Sequence, residues 1–131
     1  MMMISDIKES SIQEGKLAYI CSPFRMTDNV TIDEHLSYAR WICDFTAKVM
    51  KITPIAPHLI YPYIWSDQDE KGRALGMECG IEILKNCDCV IVGTMYGLSE
   101  GMRHEIEIAE ASGIPVYFLD IRLHEHEVNT E

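Results

Sequence analysis

The segment Asp88-Cys-Val-Ile-Val-Gly93 constrains this chain more than any other. It is a short, continuous apolar run, opened by an acid and closed by a glycine, without the alternation of a strand that has one face in water. Such a run reads as a central strand buried on both faces, which requires a parallel sheet with helices above and below it. The neighbouring segments agree. Residues 16–22, Lys-Leu-Ala-Tyr-Ile-Cys-Ser, form another buried strand stopped by Pro23. From about Thr31 to Lys51, Leu36, Ala39, Ile42, Cys43, Thr46 and Val49 recur at helical spacing, and Thr31 with Glu34 makes a capping box. A strand over about 52–56 carries Pro54 and stops at Pro57, which places it at or near a sheet edge. Residues 58–72 form a long connection with Tyr61, Tyr63 and Trp65, the length of a lid, a binding loop or an oligomer contact. A helix follows over 73–86, then the central strand, a loop at 94–98, a helix over 99–112 stopped by Gly113, and a last strand over 115–120.

Strands separated by helices pair in parallel through right-handed crossovers, giving an open α/β sheet. In such sheets the ligand site lies beyond the C-terminal strand ends, near the point where the winding reverses. That rule singles out Ser22-Pro-Phe-Arg25, Pro57-His58, Gly93 to Gly101, and Asp120.

A length of 131 residues fits one domain. We expect it to span 16–121, between a flexible tail at 1–15 and an acidic tail at 122–131. The 47% apolar and 24% charged composition is that of a globular chain rather than a disordered or collagen-like one. Eleven Lys and Arg against twenty-one Asp and Glu leave a net charge of -10, which disfavours nucleic-acid polymers and anionic membranes and favours a small ligand. No apolar run reaches a membrane span, and Met1 to Lys16 lacks the basic start and apolar core of a signal peptide, so the expected location is the cytoplasm. The five scattered cysteines read as buried thiols in a reducing compartment. Neither Cys87-x-Cys89 nor the tail His124-Glu-His-Glu127 has the spacing of a structural zinc site, and no metal is expected.

The segment Gly97-Leu-Ser-Glu-Gly-Met-Arg-His-Glu105 joins the central strand to a helix, where amides and the helix N-terminus can hold an anion. Ser99 and Gly101 either contact that anion or merely cap the helix and relieve crowding. The Gly-x-Ser-x-Gly spacing is shared with hydrolase nucleophile elbows, although the only later His residues are His104, His124 and His126. Glu105 stands a turn and a half into the helix, where the macrodipole favours its ionised form, and an ionised carboxylate facing a cleft is a competent nucleophile; Glu107 and Glu110 illustrate the solvated alternative. Arg25 offers phosphate a planar fork or forms a surface ion pair, and Ser22 stands beside it. Asp88 serves either as an acid or ribose contact or as a solvated strand start, and His58 as a binding group or a loop residue. Tyr19 packs in the core by default, and Arg73 belongs to the lid or a subunit contact before any ligand.

The assembly Tyr19-Ile-Cys-Ser-Pro-Phe24, Pro54-Ile-Ala-Pro-His-Leu59, Arg73-x-x-Gly76, Leu84-x-x-Cys-Asp88 and Ser99-x-Gly-Met-x-x-Glu-Ile106 closely resembles the nucleoside 2-deoxyribosyltransferase-like proteins, over about residues 16–119. Many of these are bacterial or phage-borne and described only as a domain of unknown function. The resemblance implies a Rossmann-like three-layer sandwich with a mostly parallel sheet of four to five strands. It also implies a glutamate at position 105 that attacks the anomeric carbon of a nucleoside, and a Tyr at position 19 that orients it. Asp88 joins Glu105 and Tyr19 in the expected catalytic set. Ser22, Pro23, Phe24, Arg25, His58, Gly93, Ser99, Gly101 and Met102 form the expected substrate-binding set. Ser99-x-Gly101 is similar to the Ser-x-Gly of deoxynucleoside 5'-monophosphate glycosidases, where Ser contacts phosphate; classical transferases differ there. His35 and Lys51 stand where the related domain tends to carry Asn and Gly. The expected activity is hydrolysis or transfer at the N-glycosidic bond of a (deoxy)nucleoside or its 5'-monophosphate, with no cofactor, in a homo-oligomer of two or more chains. The alternative is a non-catalytic protein that senses or sequesters a nucleotide on the same fold.

Overall fold

The computed structural model describes residues 12–25, 27–66 and 68–120. The elements run β1 (Leu17–Cys21), α1 (Ile32–Phe45), β2 (Thr53–Ile55), α2 (Glu70–Lys85), β3 (Cys89–Gly93), α3 (Glu100–Ala111) and β4 (Val116–Leu119). The strands form one four-stranded sheet in the order β2-β1-β3-β4, and every pairing is parallel. The α/β architecture expected from the spacing is therefore present, with β2 at an edge as Pro54 implies. Of the expected tails at 1–15 and 122–131, residues 1–11 and 122–131, including His124 to Glu127, lie outside the described residues, as does residue 121. Gln13 is tied by its amide to the carbonyl of Lys51 at 2.8 Å and by its side chain to that of Met50 at 3.2 Å.

The period of two along a strand sends alternate side chains to opposite faces of the sheet. Tyr19, Cys21, Val90 and Val92 face α2 and α3, where they pack with Leu84, Met102, Ile106 and Ala109. Ala18, Ile20, Cys89 and Ile91 face α1, where they meet Tyr38, Trp41 and Ile42. All five residues of β3 are buried, as a strand covered on both faces must be. The chain passes from β1 outward to β2 and then back across β1 to β3, so the winding reverses between β1 and β3. A cleft opens at their C-terminal ends, lined from both sides of the sheet.

Two boundaries differ from the sequence expectation. Helix α2 starts at Glu70 rather than Arg73, because the Asp69 carboxylate caps it by accepting the Gly72 amide at 3.3 Å. The first helical pattern ends as a wider π turn over Thr46–Met50, closed by Lys51 at φ 60, a left-handed conformation that glycine adopts at least cost. The connection before α2 contains two single turns, Pro57–Leu59 and Tyr61–Tyr63, and is only partly exposed. Tyr61 and Trp65 stack at 5.7 Å and 12°, and Trp65 lies so close to α2 that a Cβ on Gly72 would stand 2.7 Å from its Cβ. Tyr63 alone of the three aromatics points outward, at 72% exposure.

Candidate active site

Helix α3 is positioned by its apolar stripe. Met102, Ile106 and Ala109 enter the core, and Glu105, three residues after Met102 and four before Ala109, turns toward the same side. Glu105 is consequently half-buried, whereas Glu107 and Glu110 face water. The Tyr19 hydroxyl donates to Glu105 Oε2. The Cys21 thiol, on the same face of β1, lies 3.8 Å from Glu105 Oε1 and 3.8 Å from the Met102 carbonyl, donating weakly to one or the other. Burial pushes the Glu105 carboxyl up to about 7, although the hydrogen bonds from Tyr19 and Cys21 pull it down. The macrodipole expectation of a readily ionised Glu105 is thereby corrected: the dipole fades within the first turn, and desolvation outweighs it here. Desolvation first, and then the Glu105 charge, push both Tyr19 and Cys21 well above their ordinary ranges, so both remain donors.

The loop after β1 supplies the next wall. Ser22 Oγ lies 2.8 Å from His58 Nε2, joining the ends of β1 and β2. Burial, and secondarily the neighbouring His35, push His58 down to about 4, so its imidazole is neutral at pH 7. Pro23, Phe24 and the exposed Arg25 continue along the cleft. At the far side Ser99 caps α3 by accepting the Met102 amide at 3.2 Å, and Met102 Sδ in return lies 3.5 Å from the Ser99 amide. A capping hydroxyl that accepts still has its own proton to donate. The space above Gly101 is open, with only Ser99 Oγ at 4.0 Å from where a Cβ would be.

One cleft thus gathers Tyr19, Ser22, Pro23, Phe24, Arg25, His58, Ser99, Gly101, Met102 and Glu105. Two expected residues are not among them. Asp88 stands at the opposite, N-terminal end of β3, where its carboxylate accepts the Leu17 amide at 2.7 Å and ties the sheet together, away from the cleft. Gly93 is at the correct end but faces α1; a Cβ there would lie 2.4 Å from Ile42 Cδ1 and 2.8 Å from Tyr38 Oη. It makes room for helix packing instead of ligand. Met102 borders the cleft, yet its side chain is committed to the core. Arg73 lines the cleft as well, from α2. Sequence reasoning did not select Cys21, His35 or Tyr96 for the site. Cys21 was legible only as a buried thiol, and His35 and Tyr96 are brought together by tertiary packing, at 5.1 Å and 85°.

A family model described as a domain of unknown function (DUF7768) matches residues 16–119. The chain belongs to that family. No curated protein matches it. Among solved structures it is similar to the 2-deoxyribosyltransferase of the psychrotolerant bacterium Bacillus psychrosaccharolyticus, at 19% identity and a TM-score of 0.57, over 85% of this chain and 80% of that one. It is also similar to the 2-deoxyribosyltransferase of Leishmania mexicana, at 18% identity and a TM-score of 0.54, over 87% of this chain and 71% of that one. At these identities the likeness establishes a shared α/β fold between those enzymes and this member of the family.

Proposed function

We propose that this protein cleaves the N-glycosidic bond of a (deoxy)nucleoside, preferably as its 5'-monophosphate, with Glu105 as nucleophile. The observation that carries this reading is a half-buried carboxylate held by the Tyr19 hydroxyl at the switch point of the sheet. The Glu105 carboxylate attacks C1', the C1'–N bond breaks, and its electron pair leaves with the base, which takes a proton from solvent. Water, or a second base, then attacks C1' and releases Glu105 as carboxylate. Tyr19 and Cys21 hold the carboxylate oxygens in place and lower the cost of ionising them. The 5'-phosphate is placed at the N-terminus of α3, where the amides near Gly101 and the Ser99 hydroxyl can donate to it, with Ser22 and Arg25 approaching from β1. The deoxyribosyltransferase fold of the structural neighbours supports glycosyl chemistry on nucleosides as the reaction class.

The test is incubation with a panel of deoxynucleosides and their 5'-monophosphates, with free base followed by chromatography and binding by thermal shift. Base release, faster from the monophosphates, is expected. Binding with no release of base would replace the enzyme with a nucleotide-sequestering protein.

A further inference from the structure

We propose that His35 is a specificity-determining residue of the cleft, reading the nucleobase through its imidazole nitrogens. The proposal rests on the nucleotide reading given above and extends it to a side chain outside the reacting centre.

His35 is 1% exposed, and neither ring nitrogen has a hydrogen-bond partner. The main chain of Arg25 acts on the ring in the direction that favours its protonated form, without hydrogen-bond geometry. A buried polar side chain left without a partner is costly to a fold, and where such a group lines a ligand cleft, the ligand is the natural source of its partner. The ring is fixed in place by its helix and by the edge-on contact with Tyr96, which itself stands edge-on to Tyr38 at 5.2 Å. A histidine that served only to fill the core would have no need of two unpaired nitrogens at that point.

The position of His35 selects the part of the ligand. Glu105 and Tyr19 belong to the face of the sheet covered by α2 and α3, whereas His35 belongs to α1 on the other face. The groups suited to an anion, Ser99 and the amides near Gly101, lie at the start of α3 on the Glu105 side. With the sugar carbon at Glu105 and the 5'-phosphate at α3, the base extends across the strand tips toward α1. There it meets Phe24 and Tyr96, aromatic surfaces suited to a planar heterocycle, and His35, which stands edge-on to Tyr96. Desolvation lowers the His35 pKa, with smaller opposing pulls from Glu34 and then the Arg25 main chain, so the ring is neutral at pH 7. A neutral imidazole brings one donor and one acceptor and no charge, which suits the mixed donor and acceptor edge of a base and not a phosphate.

The experiment uses the full chain carrying Glu105→Gln, so that nucleotides stay intact, and calorimetry with dGMP, dAMP, dCMP, dTMP and 2-deoxyribose 5-phosphate. His35→Phe keeps a ring against Tyr96 and removes both nitrogens. It is expected to weaken the best-bound nucleotide about tenfold or more while leaving 2-deoxyribose 5-phosphate within about twofold. In parallel, the ring nitrogen resonances of His35 in the chain without His35→Phe are expected to shift on adding that nucleotide and not on adding the sugar phosphate, a readout that survives if the Phe variant fails to fold. Unchanged nucleotide affinity, an equal loss for both ligands, or nitrogens that do not respond to a bound nucleotide would each overturn the role of His35 while leaving the nucleotide reading intact. A chain that binds none of these nucleotides overturns both.

Discussion

At the scale of single residues, the proposed chemistry rests on Glu105. Glu105→Gln keeps the shape and an acceptor for the Tyr19 hydroxyl but cannot attack C1'. Base release is expected to fall by two orders of magnitude or more, and retention of a tenth of the activity, about 1.4 kcal/mol in barrier, would remove the assignment. The reactive form is the carboxylate, and its pKa is raised to about 7, so base release is expected to rise with pH through neutrality. Tyr19→Phe removes a hydrogen bond that lowers that pKa, so the acidic limb of the profile should move to higher pH; a profile that stays in place would mean that Tyr19 does not act on the carboxylate. The same group bears on stability. The folded chain holds this proton more tightly than the unfolded chain, whose value is near the ordinary 4.5 of a glutamate, so unfolding releases it between about 4.5 and 7. Stability therefore declines as pH rises through that window, by up to about 3 kcal/mol, and Glu105→Gln should flatten the decline in urea titrations at pH 5 and pH 8.

At the scale of elements, Asp88, expected in the catalytic set, and Gly93, expected in the binding set, occupy places where they hold strands and helices together. Asp88→Ala removes the acceptor of the Leu17 amide and is expected to cost about 1 kcal/mol, a few degrees in Tm, with base release per folded molecule unchanged. A large loss of kcat in a folded Asp88→Ala protein would return Asp88 to the site. Gly93→Ala places a methyl group against Ile42 and Tyr38, and overpacking of this kind costs about 1 to 3 kcal/mol, measurable by thermal denaturation. The elements themselves were legible in the sequence because each rests on local signals: the unbroken apolar run of β3, the stripe of α3 with Ser99 ahead of it, and Gly113 after it. The start of α2 was misplaced by three residues because Asp69 follows a loop whose aromatics gave no helical period. The roles of Asp88 and Gly93 were not legible because both depend on which end and which face of β3 they occupy once α1 has docked.

At the scale of the whole molecule, exposed apolar side chains occur at several places, among them Val49 and, on the edge strand β4, Tyr117 and Phe118; one group lies around the start of α2. Ile60, Tyr63 and Ile64 in the connection before α2, with Leu75 and Met77 on that helix, are between 42% and 72% exposed. Apolar surface of this kind marks an interaction site. A homo-oligomer of two or more 15.0 kDa chains is expected in light scattering, and Ile64→Glu should shift it toward the monomer. A wild-type monomer at micromolar concentration would remove this expectation. The global charge of -10 sets a second expectation: an anionic ligand must be held by local groups against the long-range field. Ser99→Ala and Arg25→Ala should each weaken use of a 5'-monophosphate about tenfold while sparing the bare nucleoside, because a charge-assisted contact contributes about 1.5 to 3 kcal/mol. Equal use of both substrates by all three proteins would argue against a phosphate at the start of α3.

The amino-acid sequence by itself determined the fold class, the parallel pairing and the strand ends at which a site forms, because hydrophobic period, prolines and caps act over a few residues and require no knowledge of the partner. It also marked Glu105, Ser22 and His58, residues that stand at strand ends or share the loop-to-helix motif, whereas Tyr19, in the middle of β1, read as a core residue and was marked only by the family resemblance. Tertiary structure alone decided the environment of each group. The raised pKa of Glu105 comes from the core that closes over α3, the pairing of Ser22 with His58 joins residues thirty-six positions apart, and the unpartnered nitrogens of His35 result from α1 packing against the loop that carries Tyr96. Burial and hydrogen bonding depend on distances between segments remote in the chain, which a residue pattern read along one dimension does not contain.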